Sequence, residues 1–366
     1  MVNNLERHMF LGSNSSEGFF SSFQYILSQK EANKIICIKG GPGTGKSFML
    51  KKVGNHFKEK GYTVEFHHCS SDVDSLDGIL IKELKVAMID GTAPHSIDPK
   101  TPGAVDEILD LAKYLDEDKI RGEKERIMDI SKEVSLYFNR AYKYLRASRV
   151  VFEDLESLNK LALNISKLNL IKEDLKHKLL PMNVSGVGTS RHLFATAFTP
   201  TGIETFVDTL YKGYNTVYLL KGDAGTGSRE VLKYIYEEAI KRDLYVEAFH
   251  DPFIPERLEH ILLPHLSIAL LTCNEINKEY FKENLTDVEL QIDMNTILNK
   301  DILNKYESEI KYSEDIFYEL LSKALNILSE VKVIRNTLED IYISSMNFKE
   351  IDTIYENIIT EIMSFQ

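Results

Sequence analysis

Eight consecutive residues, Gly40-Gly41-Pro42-Gly43-Thr44-Gly45-Lys46-Ser47, carry the clearest chemistry in this 366-residue chain. They fit GxxxxGK[ST] at every fixed position, the Walker A pattern. Glycines let the backbone curl so that successive N–H groups, at the positive end of a helix, point at phosphate oxygens. Lys46 is expected to reach the β- and γ-phosphates and the Ser47 hydroxyl to ligate Mg²⁺, with Gly41, Gly43, Thr44, Gly45 and Phe48 lining the ligand. The pattern implies a nucleoside triphosphate, ATP or GTP, with Mg²⁺. Asp90 ends an apolar run, the setting of a carboxylate that holds Mg²⁺ directly or through water. Asp72, Asp74 and His95 are candidates for a general base or a water-positioning group.

These residues need a strand, a turn and a helix to hold them. Ile35–Ile38 reads as a buried strand feeding the glycine turn, with a helix from Lys46 and Gly61 as its C-cap. Tyr62–His68 and Val86–Ile89 read as further strands, separated by a short helix near Ser75–Glu83. A helix is also expected from Glu17 to Gln29. Strands alternating with helices predict an α/β fold, a parallel sheet flanked by helices. Gly91–Pro102, with three prolines, reads as loop. Ala104–Asp116, Lys119–Ser148 and Val151–Leu180 carry helical periodicity with interspersed charge, consistent with a hairpin packed on the core or with a moving lid.

The chain is written twice. NTVYLLKGDAGTGSREVL (Asn215–Leu232) repeats the opening stretch, with Gly222 in place of Gly40 at an offset of 182 residues. Arg7-His8-Met9-Phe10 returns as Arg191-His192-Leu193-Phe194, Lys60–Cys69 as Arg242–Asp251, and Lys85–Asp90 as Ser267–Thr272. Two tandem P-loop NTPase domains are therefore expected. Residues 1–183 form one, with its helical region at 102–180, and 184–366 the other, with its helical region at 274–365. The linker falls in Pro181–Thr189, and the strand-like piece near 191–198 suits either sheet.

Each copy serves as a control for the other. The Gly–Thr–Gly turn, the Arg–His pairs, Glu65/Glu247 and His68/His250 persist, which marks them as structural. The second copy loses Lys46 (to Ser228), Ser47 (to Arg229), Asp72 (to Ile254), Asp74 (to Glu256) and Asp90 (to Thr272). Loss of the phosphate lysine, the metal hydroxyl and the metal carboxylate together reads as one working site and one degenerate site. Independent drift of surface positions would give a similar list. Arg229 remains a cation able to meet an anion. Arg121, Arg126, Arg140, Arg146 and Arg149 are candidates to swing onto a transferring phosphate or to form a solvated helix face.

With 43 % apolar and 27 % charged residues, the composition is that of a globular protein long enough for two cores. A net charge of −12 argues against nucleic acid as the main partner. The apolar run Ile261–Leu271 is too short to span a membrane and holds Pro264. MVNNLERHMF lacks signal-peptide character, and Cys37, Cys69 and Cys273 have no CxxC spacing, so reduced thiols in a cytoplasmic protein are expected. An acceptor molecule or a protein partner remains unspecified.

RHMF followed by Gly18-Phe19, then GGPGTGKS, VEFHHCSSDVDSLDG, DGTAPH and the second RHLF…KG…GTG copy, together resemble a tandem (duplicated) P-loop ATPase family of spore-forming Firmicutes. The resemblance covers nearly the whole chain and implies nucleotide binding. It departs at Ser228-Arg229, where a second intact Walker A belongs. The loop wording is also similar to that of AAA+ ATPases, but Gly91 follows Asp90 where their catalytic Glu would stand, which disfavours a ring motor. The readings are an ATPase with a regulatory or scaffolding second half, a small-molecule or nucleotide kinase, or a non-catalytic ATP-binding interaction module. The kinase reading rests on Asp72-x-Asp74, which is similar to the DxD of shikimate-kinase-like enzymes; that resemblance implies that the first carboxylate assists the metal and the second holds the acceptor hydroxyl.

Overall fold

The computed structural model describes residues 6–92, 97–183, 186–284 and 288–366. In the first repeat the strands are β1 (Glu6–Phe10), β2 (Gly12–Ser15), β3 (Gly18–Ser21) and β4 (Lys34–Lys39). After α1 (Lys46–Glu59) come β5 (Val64–Cys69), β6 (Asp72–Ile81), β7 (Val86–Asp90) and β8 (Asp106–Asp110). Helices α2 (Glu117–Gly122), α3 (Lys124–Ala162) and α4 (Ile165–Leu179) complete it. The second repeat opens with β9 (Ser190–Leu193), β10 (Thr196–Thr199), β11 (Gly202–Thr205) and a short extra helix, α5 (Val207–Tyr211). Then follow β12 (Thr216–Lys221), α6 (Ser228–Ile240), β13 (Val246–His250), β14 (Leu258–Leu263) and β15 (Ile268–Cys273). It ends with α7 (Lys278–Asn284), β16 (Leu290–Asp293), α8 (Lys300–Lys305), α9 (Glu307–Ile343) and α10 (Phe348–Met363).

Both repeats build the same six-stranded sheet, ordered β1-β5-β6-β7-β4-β8 and β9-β13-β14-β15-β12-β16. The fold is α/β, but its sheets are mixed. β6 runs antiparallel to β5 and to β7, while β4 is parallel to β7 and β8. The helix expected over Ser75–Glu83 is therefore strand. Leu76, Ile79 and Leu80 imitate helical spacing because Leu76–Ile81 is buried throughout, inside the sheet, where no alternation survives. Lys85, with φ of 52°, turns the chain between β6 and β7, and Ser267 does the same at φ 55° in the copy.

Two other expected helices are also corrected. Glu17–Gln29 holds β3 and a single 3₁₀ turn, Phe23–Tyr25, and Ala104–Asp116 holds β8 and another, Leu111–Tyr114. In each, tertiary pairing overrides local propensity. The stretch near 191–198 is divided: β9 joins the second large sheet beside β13, while β10 joins a small sheet, β11-β10-β2-β3, built from both repeats.

The helical regions do not fold back on their own cores. Leu168, Leu175 and Leu179 of α4 are buried with Val231, Leu232 and Ile235 of α6, in the second repeat. Conversely Ile351, Tyr355, Ile358, Ile359 and Ile362 of α10 close the core over Met49, Leu50 and Val53 of α1, in the first. The boundary near residue 183 divides the sequence repeats but not the packing units. Helices α3 and α9 carry the crossing as an antiparallel pair, shown by Ser313 near the start of α9 donating to Asp154 late in α3 at 2.9 Å. Buried Ala141, Leu145, Ser148, Phe152, Leu155 and Asn159 recur every three or four residues, the seam of a paired helix.

The residues kept in both copies meet where the repeats join. β1 pairs with β5 so that Arg7 faces Glu65, and β9 with β13 so that Arg191 faces Glu247. Arg7 also reaches Glu247 at 2.5 Å and Arg191 reaches Glu65 at 2.7 Å, giving a buried square of two guanidinium and two carboxylate groups. His8 pairs with His68 at 2.7 Å and His192 with His250 at 2.8 Å. These are structural roles. The three cysteines are free and buried, and among the described residues no helix is long and apolar enough to cross a membrane.

Candidate functional site

The glycine loop forms between β4 and α1 as the residue types require. Gly43 and Gly45 take φ of 72° and 88°, a region closed to most side chains. Thr44 Oγ1 donates to the Gly41 carbonyl at 2.8 Å, bracing the turn. Lys46, almost wholly buried, curls over it, donating from Nζ to the Gly40 and Gly41 carbonyls at 2.9 and 2.7 Å. The same Nζ is 3.6 Å from Asp90 Oδ2 at the end of β7. Thr92 ties that end to the loop, its N–H donating to Asp90 Oδ1 and its hydroxyl to the Gly40 carbonyl, both at 2.9 Å. Ser47 Oγ accepts the Leu76 N–H at 2.9 Å. Lys46 thus meets Asp90, while Ser47 ties the start of α1 to β6. Phe48 points outward, 60 % exposed.

Burial pushes the Asp90 carboxyl upward, against the pull of Lys46. Its neighbour is Asp77: Gly78 pairs with Ile89, which sets Asp77 across from Asp90 on the adjoining strand. Burial raises Asp77 to about 6 despite Cys69, Arg335 and Lys46. Asp77 lay hidden from the sequence because its strand reads as helix. A carboxyl stands at the same place in the second repeat, Glu259, so it belongs to the shared scaffold.

Asp72 and Asp74 open β6 instead of lying in a loop. Asp72 Oδ1 accepts from Lys332 Nζ at 2.8 Å and Oδ2 from the Ser75 hydroxyl at 2.7 Å. Burial works against its ionisation, yet these two hydrogen bonds hold it below the usual carboxylate range. Asp74 is 88 % exposed and 4.0 Å from Lys332. His95 lies outside the described residues.

Lys332 belongs to the second repeat, and α9 brings more than this one cation. Tyr342 covers Gly41, Ile343 and the Glu339 carbonyl meet Gly43, and Phe348 lies over Gly45. Arg335 stands one turn before Glu339, its Nη2 3.9 Å from that carboxylate. Its charge also bears on Asp72 and Asp77. Sequence reasoning missed Lys332, Arg335 and Glu339 because nothing in a single chain announces that helices change places. The arginines it singled out lie elsewhere. Arg121 and Arg126 face acidic neighbours on exposed helix, Arg140 stacks on Tyr137, and Arg146 bonds the Tyr142 carbonyl. Arg149 binds Glu17 and Glu153 near the second loop.

The second loop keeps the shape and has different contents. Gly225 and Gly227 have φ of 79° and 93°, and Thr226 Oγ1 donates to the Asp223 carbonyl at 2.7 Å. Arg229, where Ser47 stood, is buried against three carboxylates: Glu275 at 2.9 Å, Asp251 at 3.0 Å and Glu156 at 3.3 Å. Arg257 also holds Glu156, at 3.1 Å. The Arg229 charge is spoken for, which leaves the anion expected of it without a partner.

A family model described as Nephrocystin 3, N-terminal, matches residues 16–80, from just before β3 through most of β6 and including the first glycine loop. No curated protein and no solved structure matches the chain.

Proposed function

We propose that the chain is an Mg-dependent ATPase built from two tandem P-loop domains that exchange their helical regions, with one working site and one degenerate site. The carrying observation is a pair of loops of one shape. The first sets Lys46 beside Asp90, with Ser47 opening α1 and bonded to β6, and the second is filled by a buried arginine locked to three carboxylates. The resemblance to a duplicated P-loop ATPase family of Firmicutes supports nucleotide binding at the first loop.

Lys46 and the loop N–H groups would hold the β- and γ-phosphates. Ser47 and Asp90 fit a Mg²⁺ ion, which takes one or two protein oxygens and fills its octahedron with phosphate and water. Bound there, the ion would neutralise charge developing between the β- and γ-phosphates. Asp90 has to ionise for this, and Lys46 beside it favours that state against burial. The kinase reading has less support, since Asp72 is committed to Lys332 and Ser75.

The test is phosphate release from the full chain with Mg-ATP and no acceptor, beside Lys46→Ala. Steady release that the substitution abolishes is expected. Tight ATP binding with no release above the variant would replace hydrolysis with a non-catalytic switch or a kinase awaiting its acceptor.

A further inference from the structure

Resting on the nucleotide reading of the first loop, we infer that Arg335, delivered by α9 from the opposite repeat, is the contact for the terminal phosphate and makes the site selective for triphosphate over diphosphate.

The internal copy separates this residue from its neighbours. Helix α3 lies over the second loop as α9 lies over the first. Glu156 and Glu339 occupy matching positions, each pressing its carbonyl against a loop glycine, Gly225 and Gly43. Seven residues before each stands a cation, Arg149 or Lys332, and each reaches an acidic side chain at the start of the facing β5–β6 or β13–β14 segment. Lys332 is 4.0 Å from Asp74, and Arg149 is 3.6 Å from the matching Glu256. That cation is kept where the chemistry is lost, so it is a tether.

The position four residues before each glutamate behaves differently. Facing the intact loop it is Arg335; facing the degenerate loop it is Phe152, with the Arg229 guanidinium 5.1 Å above its ring. Arg335 is therefore present and absent together with Lys46, Ser47 and Asp90. Its guanidinium is partly exposed, and its ion pair with Glu339 is long at 3.9 Å. Lys332 by contrast is held at 2.8 Å. A planar cation with spare donors beside a phosphate loop suits a phosphate oxygen that a diphosphate does not have.

The experiment measures affinities of the full chain for Mg-ATP and Mg-ADP by calorimetry, or for the guanine pair if that is the one bound. Wild type is expected to prefer the triphosphate at least tenfold. Arg335→Ala should weaken triphosphate binding about ten- to a hundredfold and leave the diphosphate within about threefold, the loss of one charge-assisted phosphate contact. Should the alanine variant fold poorly, Arg335→Phe installs the side chain this fold already carries at position 152. Lys332→Ala should shift both ligands by one common factor. If the Arg335 variants move both affinities equally, or neither, the assignment is overturned while nucleotide binding stands. If wild type binds neither pair, the nucleotide reading falls and the assignment with it.

Discussion

The carbonyl oxygen of Glu339 lies against Gly43, 2.7 Å from where a Cβ would stand, and the Glu156 carbonyl meets Gly225 in the same way. A glycine that phosphate recognition alone would explain is thus also required by a helix crossing over from the other repeat. This accounts for the Gly–Thr–Gly turn persisting in a loop that has lost the lysine and the serine that follow it in the first copy. Gly225→Ala is expected to destabilise the chain by at least about 1–2 kcal/mol, the cost of a left-handed backbone for a residue with a Cβ. The contact with a carbonyl that cannot rotate away adds to that cost. A lowered urea midpoint checks this; a wild-type midpoint would separate the turn from the helix that covers it.

Exchange of the terminal helices makes distant parts of the chain depend on one another. Ile362 of α10 is fully buried in the core of the first repeat, with α1 and β4. Ile362→Ala should cost about 2–5 kcal/mol, as for other large-to-small core changes. The location of the damage is the sharper readout. Amide exchange should rise in β4 and α1, more than 300 residues away in sequence, before it rises in β12 and α6. Loss of protection confined to the second repeat would contradict the exchange.

Much of this was legible in the sequence, for physical reasons that also mark the limits. The strand–loop–helix around Lys46 could be read because glycine, lysine and serine spacing reports local backbone geometry. The duplication could be read because both copies kept the residues their junction needs, Arg7, Glu65, Arg191 and Glu247. β6 was misread because a strand buried in mid-sheet shows no alternation, and Leu76, Ile79 and Leu80 fall at helical spacing by chance. Lys332, Arg335 and Glu339 were out of reach of local rules. Comparing the helical regions at their own offset of 183 residues would have raised the contrast between Arg335 and Phe152. It would still not have said which loop each of them faces.

Glu259 makes stability depend on pH in a direction opposite to that of most carboxylates. It is buried, accepts from the Thr196 hydroxyl at 2.9 Å and from Asn277 Nδ2 at 2.8 Å, and burial pushes it up to about 8. A folded-state pKa above the unfolded value means that the folded chain holds the proton longer. Its contribution is complete below about 4.5 and is lost as pH rises through 8. Glu259→Gln keeps the shape and carries no charge. It should leave stability at pH 4.5 nearly unchanged and raise it at pH 8.5, by a few kcal/mol at about 1.4 kcal/mol per pKa unit. Thermal melts at the two pH values decide; equal shifts at both would mean that the side chain ionises freely in the fold.

On the proposed nucleotide reading, the arginine at the second loop limits the chain to one nucleotide. Arg229→Ala would leave Glu156, Asp251 and Glu275 facing one another without their shared cation, and breaking a buried pair from one side costs about 3–5 kcal/mol. Restoring the lost residues with Ser228→Lys and Arg229→Ser is a subtler change. It supplies an ammonium and a hydroxyl to a loop with the right glycines. Yet it leaves three buried carboxylates, with Arg257 and Lys160 beside Glu156, and an apolar Phe152 opposite. A triphosphate brought there would meet negative charge where the first loop offers Lys46 and Arg335. Calorimetry on this double variant should therefore still find one nucleotide per chain, with the affinity of wild type. A second equivalent would mean that two substitutions suffice to rebuild the site, and that the carboxylate cluster is no barrier to phosphate.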